Sequence, residues 1–247
     1  MSILPAPPWA DLAAELSGEL HTTTGQRIAY ATDASVYRSL PQAVVLPRDE
    51  ADVVATVRFA VRHGLSITPR AGGTSLAGQA IGPGICVDVS RYLTDILEIN
   101  LAEGWVRVQP GVIREELNRV LEPLGYWFGP NTSTANRCTL GGMFGNNSCG
   151  TTSITVGSTR EHSLEARCVL ADGSTAVFGS MAHAGDGFGA ERPGLEGKIY
   201  AHILETLAKP STRATIAAAY PRADIERRNT GYALDLLAKQ QPFNPAG

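Results

Sequence analysis

Apolar positions fall into helical spacings and short buried runs that give way to one another along the chain. Leu12, Leu16 and Leu20 recur every fourth residue, the repeat that lines one helix face, so residues 1–24 are expected to form a short helical lead-in. Between Pro41 and Pro47 the run Ala43-Val44-Val45-Leu46 predicts a short buried strand. Asp49 can cap a following helix with Val53, Val54, Val57, Ala60 and Val61 on one face and Gly64 as its stop. Residues 65–68 read as the next strand, and the strand–helix–strand unit predicts a parallel pair. Further strands are expected at 85–89, 95–100 and 105–109. Leu117, Val120, Leu121 and Leu124 then mark the buried face of a second helix, closed by Gly125. Residues 166–170 and 175–178 flank Ala171-Asp172-Gly173-Ser174, a hairpin signal. The glycine-rich stretch 180–197 reads as a mobile loop, helical segments are expected near 199–208 and 225–238, and 241–247 form no element. Helices and strands are mixed throughout, so the fold class is α+β, and no internal repeat is present.

Composition narrows the function classes. The 247 residues are 43% hydrophobic, enough for one large core or two modest ones. Twenty-one basic against twenty-four acidic residues leave a net charge of -3 with no lysine or arginine block, which argues against a nucleic-acid partner. The first basic residue is Arg27, residues 1–10 lack the regions of a signal peptide, and no apolar run approaches the ~20 residues of a membrane span. A soluble, cytoplasmic protein is expected. Cys86, Cys138, Cys149 and Cys168 include no C-x-x-C pair, and the histidines at 21, 63, 162, 183 and 202 show no paired ligand spacing. Neither zinc nor an iron–sulfur centre is supported by this chain, and no metal is expected. The thiols are expected to be small, partly buried groups, and His162 beside Glu161 a surface or core-edge residue.

The candidate chemistry sits in residues 69–79, Pro-Arg-Ala-Gly-Gly-Thr-Ser-Leu-Ala-Gly-Gln. Gly72, Gly73, Gly78, Gly82 and Gly84 lie between two apolar strand candidates. Backbone free of Cβ atoms can turn successive N–H groups toward one point, and Thr74 and Ser75 add hydroxyl donors. Such a loop suits a diphosphate; the competing assignment is a turn that only reverses the chain. The spacing of Gly73 and Gly78 matches a P-loop, but Gln79-Ala80 stands where Lys-Ser/Thr is required, and no G-x-G-x-x-G opens a helix. An anion here must be held by backbone dipoles and hydroxyls, with Arg70 the nearby cation. Residues 128–150 form a second cluster, in which Gly141, Gly142, Gly145 and Gly150 are interleaved with Asn146, Asn147 and Ser148. Small residues let a flat ring lie on the backbone, and neutral amides suit a ring that accepts and releases electrons. A turn-rich connection in a β structure is the alternative.

Arg-Ala-Gly-Gly-Thr-Ser, then Gly-Pro-Asn-Thr-Ser with Cys-Thr-Leu-Gly-Gly, then Asn-Asn-Ser-Cys-Gly, together resemble the FAD-binding (PCMH-type) domain of the vanillyl-alcohol oxidase superfamily. Within it the chain is similar to D-lactate, glycolate and D-2-hydroxyglutarate dehydrogenases. Arg227-Arg228-Asn229-Thr230-Gly231-Tyr232 is similar to a segment of large bacterial members with a C-terminal iron–sulfur region. The resemblance covers about residues 25–240 and is specific for the family more than for the substrate.

What the resemblance implies is two α+β subdomains with FAD between them, across 25–180, followed by the loop and helical extension of 181–247. Arg70, Ala71, Gly72, Gly73, Thr74, Ser75 and Gly78 would wrap the pyrophosphate. Pro130, Thr139, Gly141, Gly142, Asn147, Ser148 and Gly150 would line the flavin and ribityl chain, and Gly157 would close on the adenine side. Covalently flavinylated relatives carry a histidine where this chain has Thr74, so a non-covalent FAD is expected. The family's Gly-Ser-Glu-Gly-Thr segment and substrate cap have no counterpart before Gly247. The chain is therefore expected to be an FAD-domain fragment, with the catalytic base, the carboxylate clamp and any iron–sulfur cluster outside it. The implied function is oxidation of a D-2-hydroxy acid by hydride transfer to FAD N5, with the electron acceptor unspecified. Two other readings stand: an FAD module acting on an alcohol, aldonolactone or sugar nucleotide, and a non-catalytic nucleotide-binding module.

Overall fold

A computed structural model describes residues 7–179, 191–222, 224–225, 231–240 and 243–246, which fall into two compact units. The first takes the described residues of Met1–Phe128, Thr132–Asn146 and Ala171–Gly173, the second those of Gly129–Asn131, Asn147–Leu170 and Ser174–Gly247.

In the first unit, α1 (Trp9–Glu15), β1 (Glu19–His21), α2 (Thr24–Ile28), β2 (Ala43–Leu46), α3 (Glu50–His63) and β3 (Ile67–Arg70) lead to the glycine loop. After it come β4 (Ile85–Asp88), β5 (Ile96–Asn100), β6 (Trp105–Val108), α4 (Arg114–Leu121) and α5 (Leu140–Asn146). The main sheet has the order β1-β2-β4-β3, with β2 and β3 both parallel to β4 and β1 antiparallel to β2. The expected parallel relation of β2 and β3 therefore holds only through β4, which is inserted between them. Every residue of β4 is buried, so it takes the centre. Pro69 in β3 has no N–H to donate and suits the edge.

Alternation along the strands separates two faces. Val45, Ile85 and Val87 pack with Leu12, Phe59 and Ala60 of α1 and α3, while Val44, Leu46 and Cys86 face Tyr30 and Tyr92. Among residues 7–23 of the N-terminal lead-in the helix is α1; Leu20 lies in β1, paired with Val45. Its fourfold spacing was coincidental, because both elements bury their leucines in one core. In α3 the Asp49 carboxylate accepts from Asp52 N at 3.0 Å and Gly64 closes the helix at φ 61, as expected. The buried face differs, however: Asp52, Thr56, Phe59 and Ala60 point inward and Val61 is 59% exposed. Asp52 fixes that rotation, since its carboxylate accepts from Ser17 N, Ser17 Oγ and Arg48 N at 2.8–3.0 Å.

A second core forms where Val112, Leu117, Leu121 and Leu140 meet Ile96, Ile99, Val106, Val108 and Phe128. The expected stripe on α4 is only half correct. Val120 and Leu124 are each 43% exposed, and Asn118 is buried in their place. Its amide holds the Phe128 backbone from both ends, at 2.7 Å to N and 3.3 Å to O.

The second unit contains α6 (Ser153–Val156), β7 (Glu165–Val169), β8 (Thr175–Gly179), α7 (Gly194–Ala208), α8 (Pro210–Ala219) and α9 (Leu234–Leu237). The β7–β8 hairpin pairs Glu165 with Gly179 through Val169 with Thr175, as its turn signal predicts. Residues 180–190 of the expected loop lie outside the described residues; the rest of that stretch is already helical from Gly194. Residues 226–230, including Arg227 to Thr230, also lie outside them; among the described residues of 225–238 the helix is α9. Helix α8 was not anticipated, although Pro210 opens its first turn where a missing N–H is harmless. The mixture of helices and strands is α+β. No helix among the described residues is long and apolar enough to cross a membrane.

Candidate functional site

In the first unit the glycine loop leaves β3 at Arg70, and its donors and acceptors are treated differently. Among the described residues, the backbone N–H groups of Ala71, Gly72, Gly73, Thr74 and Ser75 donate no hydrogen bond to protein. Neither does the Thr74 hydroxyl. The carbonyl side is tied down, with Gly73 O accepting from Ala34 N at 3.0 Å. Gly73 adopts φ +59, and a Cβ there would stand 2.6 Å from Arg70 Nη2. Such a run of unpaired, part-exposed donors is a ready acceptor of an anionic oxygen. Ser75 is used otherwise: its hydroxyl is engaged by Gln79 and by the N–H groups of Ala77 and Gln79, which closes the turn. Gly78 completes the loop at φ +78.

Arg70 faces protein. Its Nη1 donates to Thr32 O at 2.7 Å and lies 3.4 Å from the carbonyl oxygens of Tyr30 and Ala80. Tyr30 sits under the guanidinium, 5.4 Å from ring to Cζ, and donates its hydroxyl to Asp88 at 2.9 Å. Burial, then the Asp88 carboxylate, pushes the Tyr30 phenol well above its ordinary range, so it stays a neutral donor. Asp33 accepts from Ser35 N at 2.8 Å and from Ala80 N at 3.4 Å. Burial opposes its ionisation, but the Ser35 hydrogen bonds, Ala80 N and the Arg70 charge outweigh it and hold the carboxyl below its usual value. The loop is thus bordered by one cation and one anion, and net attraction for a phosphate must come from the free backbone dipoles.

The second glycine cluster meets the first inside this unit. A Cβ on Gly72 would fall 2.4 Å from Arg137 O, and Gln79 Nε2 lies 3.4 Å from Asn146 Oδ1. Residues 140–146 form α5; Thr139, just before it, is 3% exposed and its hydroxyl accepts from Gly142 N. Gly141 lets α5 press on the chain before α4, since a Cβ would come 2.5 Å from Pro110 Cβ. Thr139 and Gly141 therefore have structural work in addition to any ligand contact.

In the second unit, Asn147 has φ 45, the one positive φ among the described non-glycine residues. Its Oδ1 accepts from Ser158 Oγ and Arg160 N, each at 2.9 Å, while its Nδ2 donates to no described protein atom. Ser148 O accepts from Thr159 N and Oγ1, and Gly150 N donates to Ser153 Oγ at 2.9 Å. Pro130 is fully buried. Gly157 turns the chain at φ +79 into Ser158, whose N and Oγ donate to Glu161 Oε2 at 2.7 and 2.5 Å. Burial raises the Glu161 carboxyl, but the Ser158 hydrogen bonds and the Arg160 charge bring it below its ordinary value. His162 donates Nε2–H to Val156 O at 2.6 Å, a local structural contact.

Sequence reasoning did not single out Asp33, Ser158 or Thr159, and it named Gln79 only as a departure from the P-loop and Glu161 only as the neighbour of His162. The signal for the last set was present: Ser158-Thr-Arg-Glu161 has the S-x-x-E spacing of a capping box.

Residues 41–179, a little over half of the chain, match the FAD binding domain family. Over 160 residues the chain is 47% identical to the D-2-hydroxyglutarate dehydrogenase of Escherichia coli (strain K12), covering 64% of this chain and 16% of that protein. Over 230 residues it is 40% identical to the protein of the same name from Pseudomonas putida, covering 91% of this chain and 22% of that one. The chain thus spans less than a quarter of the length of these relatives. A solved structure of alkyldihydroxyacetonephosphate synthase shares the fold, with a TM-score of 0.63 at 23% identity over 73% of this chain and 35% of that one.

Proposed function

The chain belongs to the FAD binding domain family, and from that premise we propose that it holds FAD non-covalently as the flavin-carrying portion of a D-2-hydroxy acid dehydrogenase. The observation that carries this is the run of unpaired N–H groups from Ala71 to Ser75, with the Thr74 hydroxyl beside it. Five adjacent donors without a protein partner fit the oxygens of a diphosphate. In the first unit we assign Arg70 to Ser75 and Gly78 to the pyrophosphate loop, and Thr139, Gly141 and Gly142 to flavin contacts. In the second unit we assign Pro130, Asn147, Ser148, Gly150 and Gly157, with the free Nδ2 donors of Asn147 supporting its place. Thr74 offers no imidazole for a flavin linkage, which supports a dissociable cofactor.

FAD bound in such a site would supply the two-electron redox chemistry for oxidising the hydroxy acid. The chain's residues bind and orient: the loop N–H groups offset the diphosphate charge, and neutral amides leave the flavin electronics without a fixed charge. None of the assigned residues is a base for the substrate hydroxyl or a clamp for its carboxylate. D-2-Hydroxyglutarate is the leading substrate, because the two D-2-hydroxyglutarate dehydrogenases above match at 40% and 47% identity; D-lactate and glycolate follow. An iron–sulfur centre as onward electron acceptor is an expectation for sequence outside this chain. Four thiols outside any disulfide suit a reducing, cytoplasmic setting.

The test is a visible spectrum of the purified chain with melting curves in FAD, ATP and a sugar nucleotide. FAD at a hundred times its Kd should add about 2.7 kcal/mol of stability. The chain alone should bind FAD without bleaching by D-2-hydroxyglutarate; the longer protein carrying it should bleach. A colourless chain stabilised by ATP and not by FAD would refute the proposal in favour of a nucleotide-binding module.

A further inference from the structure

We infer that Arg70 is a positioning residue for the FAD-phosphate loop, acting through the backbone it braces and not through its charge on the ligand; this rests on the FAD reading above. One planar group touches each segment that shapes the loop. Nη1 donates to Thr32 O at 2.7 Å and faces Tyr30 O and Ala80 O at 3.4 Å. The first two carbonyls belong to the chain after α2, and the third to the return of the glycine loop itself. The guanidinium lies on the Tyr30 ring, and the Tyr30 hydroxyl is anchored to Asp88 at the end of β4.

Gly73 completes the fit. A Cβ at residue 73 would stand 2.6 Å from Nη2, 3.0 Å from Cζ and 3.3 Å from Nε. The guanidinium therefore fills the space into which a side chain at 73 would project, and the absence of a side chain there serves Arg70 as well as the ligand. Ala34 N on Gly73 O and Ala80 N on Asp33 Oδ2 close the same brace from the opposite polarity. The braced segment is the one whose N–H groups from Ala71 to Ser75 lack protein partners. Holding such donors in place before the ligand arrives is preorganisation, which lowers the ordering cost of binding. A lysine keeps the charge but has neither the flat face nor the fork that meets several carbonyls.

Nε and Nη2 donate to no described protein atom, so direct contact with a phosphate is the rival role. The variants Arg70→Lys and Arg70→Met separate the two, read by hydrogen–deuterium exchange without FAD and by FAD titration at several salt concentrations. Positioning predicts faster exchange in peptides 30–37 and 71–80 for both variants, with the 165–179 hairpin unchanged as the check on global folding. It also predicts a loss of FAD affinity on the order of 10- to 100-fold in both, the worth of a hydrogen bond from a charged donor, without rescue by lysine. The salt dependence should keep the wild-type slope. Lysine restoring affinity to within about threefold, or a flattened salt dependence in Arg70→Met with exchange unchanged, overturns the inference and makes Arg70 a charge contact. Wild-type protein that takes up no FAD refutes the function proposed above and this role with it. FAD uptake with unaltered exchange in both variants refutes the positioning role alone.

Discussion

Replacing Gly73 by alanine inserts one methyl group at the tightest point of the loop, and its effect follows from two geometric facts. The residue sits at φ +59, and the new Cβ would lie 2.6 Å from Arg70 Nη2. The left-handed backbone costs a non-glycine residue roughly 1–2 kcal/mol, which alone is about a 5- to 30-fold loss of FAD affinity if it falls on the binding-competent loop. The guanidinium must also shift, and where it leaves Thr32 O a bond from a charged donor worth about 1.5–3 kcal/mol is lost as well. The sum of roughly 2.5–5 kcal/mol corresponds to ~70-fold to ~4000-fold weaker binding. Gly104 is the control: it has φ +71 with nothing within 4 Å of its Cβ position, so Gly104→Ala carries the strain without the collision. Flavin fluorescence titration should show the large loss for Gly73→Ala and none for Gly104→Ala, which should only lower the melting temperature. Wild-type FAD affinity in Gly73→Ala would sink the loop assignment. A loss confined to the strain range would sink the part of the argument that rests on Arg70. In Arg70→Met the same alanine should cost less, because the group it collides with is gone.

Leu117→Ala should destabilise the first unit by about 2–5 kcal/mol, since the side chain is 1% exposed in the core that α4 shares with α5; urea denaturation reads it, and a loss below about 1 kcal/mol would mean the site collapses around the gap. Glu161 has a folded-state value below its unfolded one, so its contribution is full above the unfolded value of ~4.3 and is lost as pH falls through the lower folded value. Melting temperatures between pH 6 and pH 3 should fall less steeply for Glu161→Gln than for wild type, and parallel curves would remove Glu161 from the account. Cys86 is buried and its thiol is pushed up to about 12 by desolvation, despite the opposing Arg70 charge. It should resist iodoacetamide at pH 8 in the native protein and react in urea; native labelling at Cys86 would show that β4 opens readily.

Much of the first unit is legible in the sequence, because its signals are local. Prolines bracket β2, and Asp49 and Gly64 bracket α3; in the second unit the β7–β8 hairpin was equally legible from Ala171-Asp-Gly-Ser. The failures occurred where distant partners decide. Asp52 and Asn118 are buried while Val61 and Val120 are exposed, because Ser17, Arg48 and Phe128 supply hydrogen bonds that no local pattern contains. Helix α5 was missed because Leu-Gly-Gly-Met-Phe-Gly-Asn has poor helix propensity. It forms because Leu140 and Met143 are buried, and Gly141 admits Pro110.

The candidate site divides in the same way. Glycines beside Thr74 and Ser75 announce an anion-accepting backbone, since the freedom of a residue without Cβ is a property of that residue alone. Which donors stay free, and what Arg70 does with its charge, depends on partners 38 and 40 residues away at Thr32 and Tyr30. The sequence by itself determined the locally signalled elements such as β2, α3 and the β7–β8 hairpin, the family and the loop's chemical character, all carried by neighbours along the chain. Only the tertiary structure decided that Arg70 turns toward carbonyls and that the two glycine clusters meet, because hydrogen bonds and close contacts are made in space.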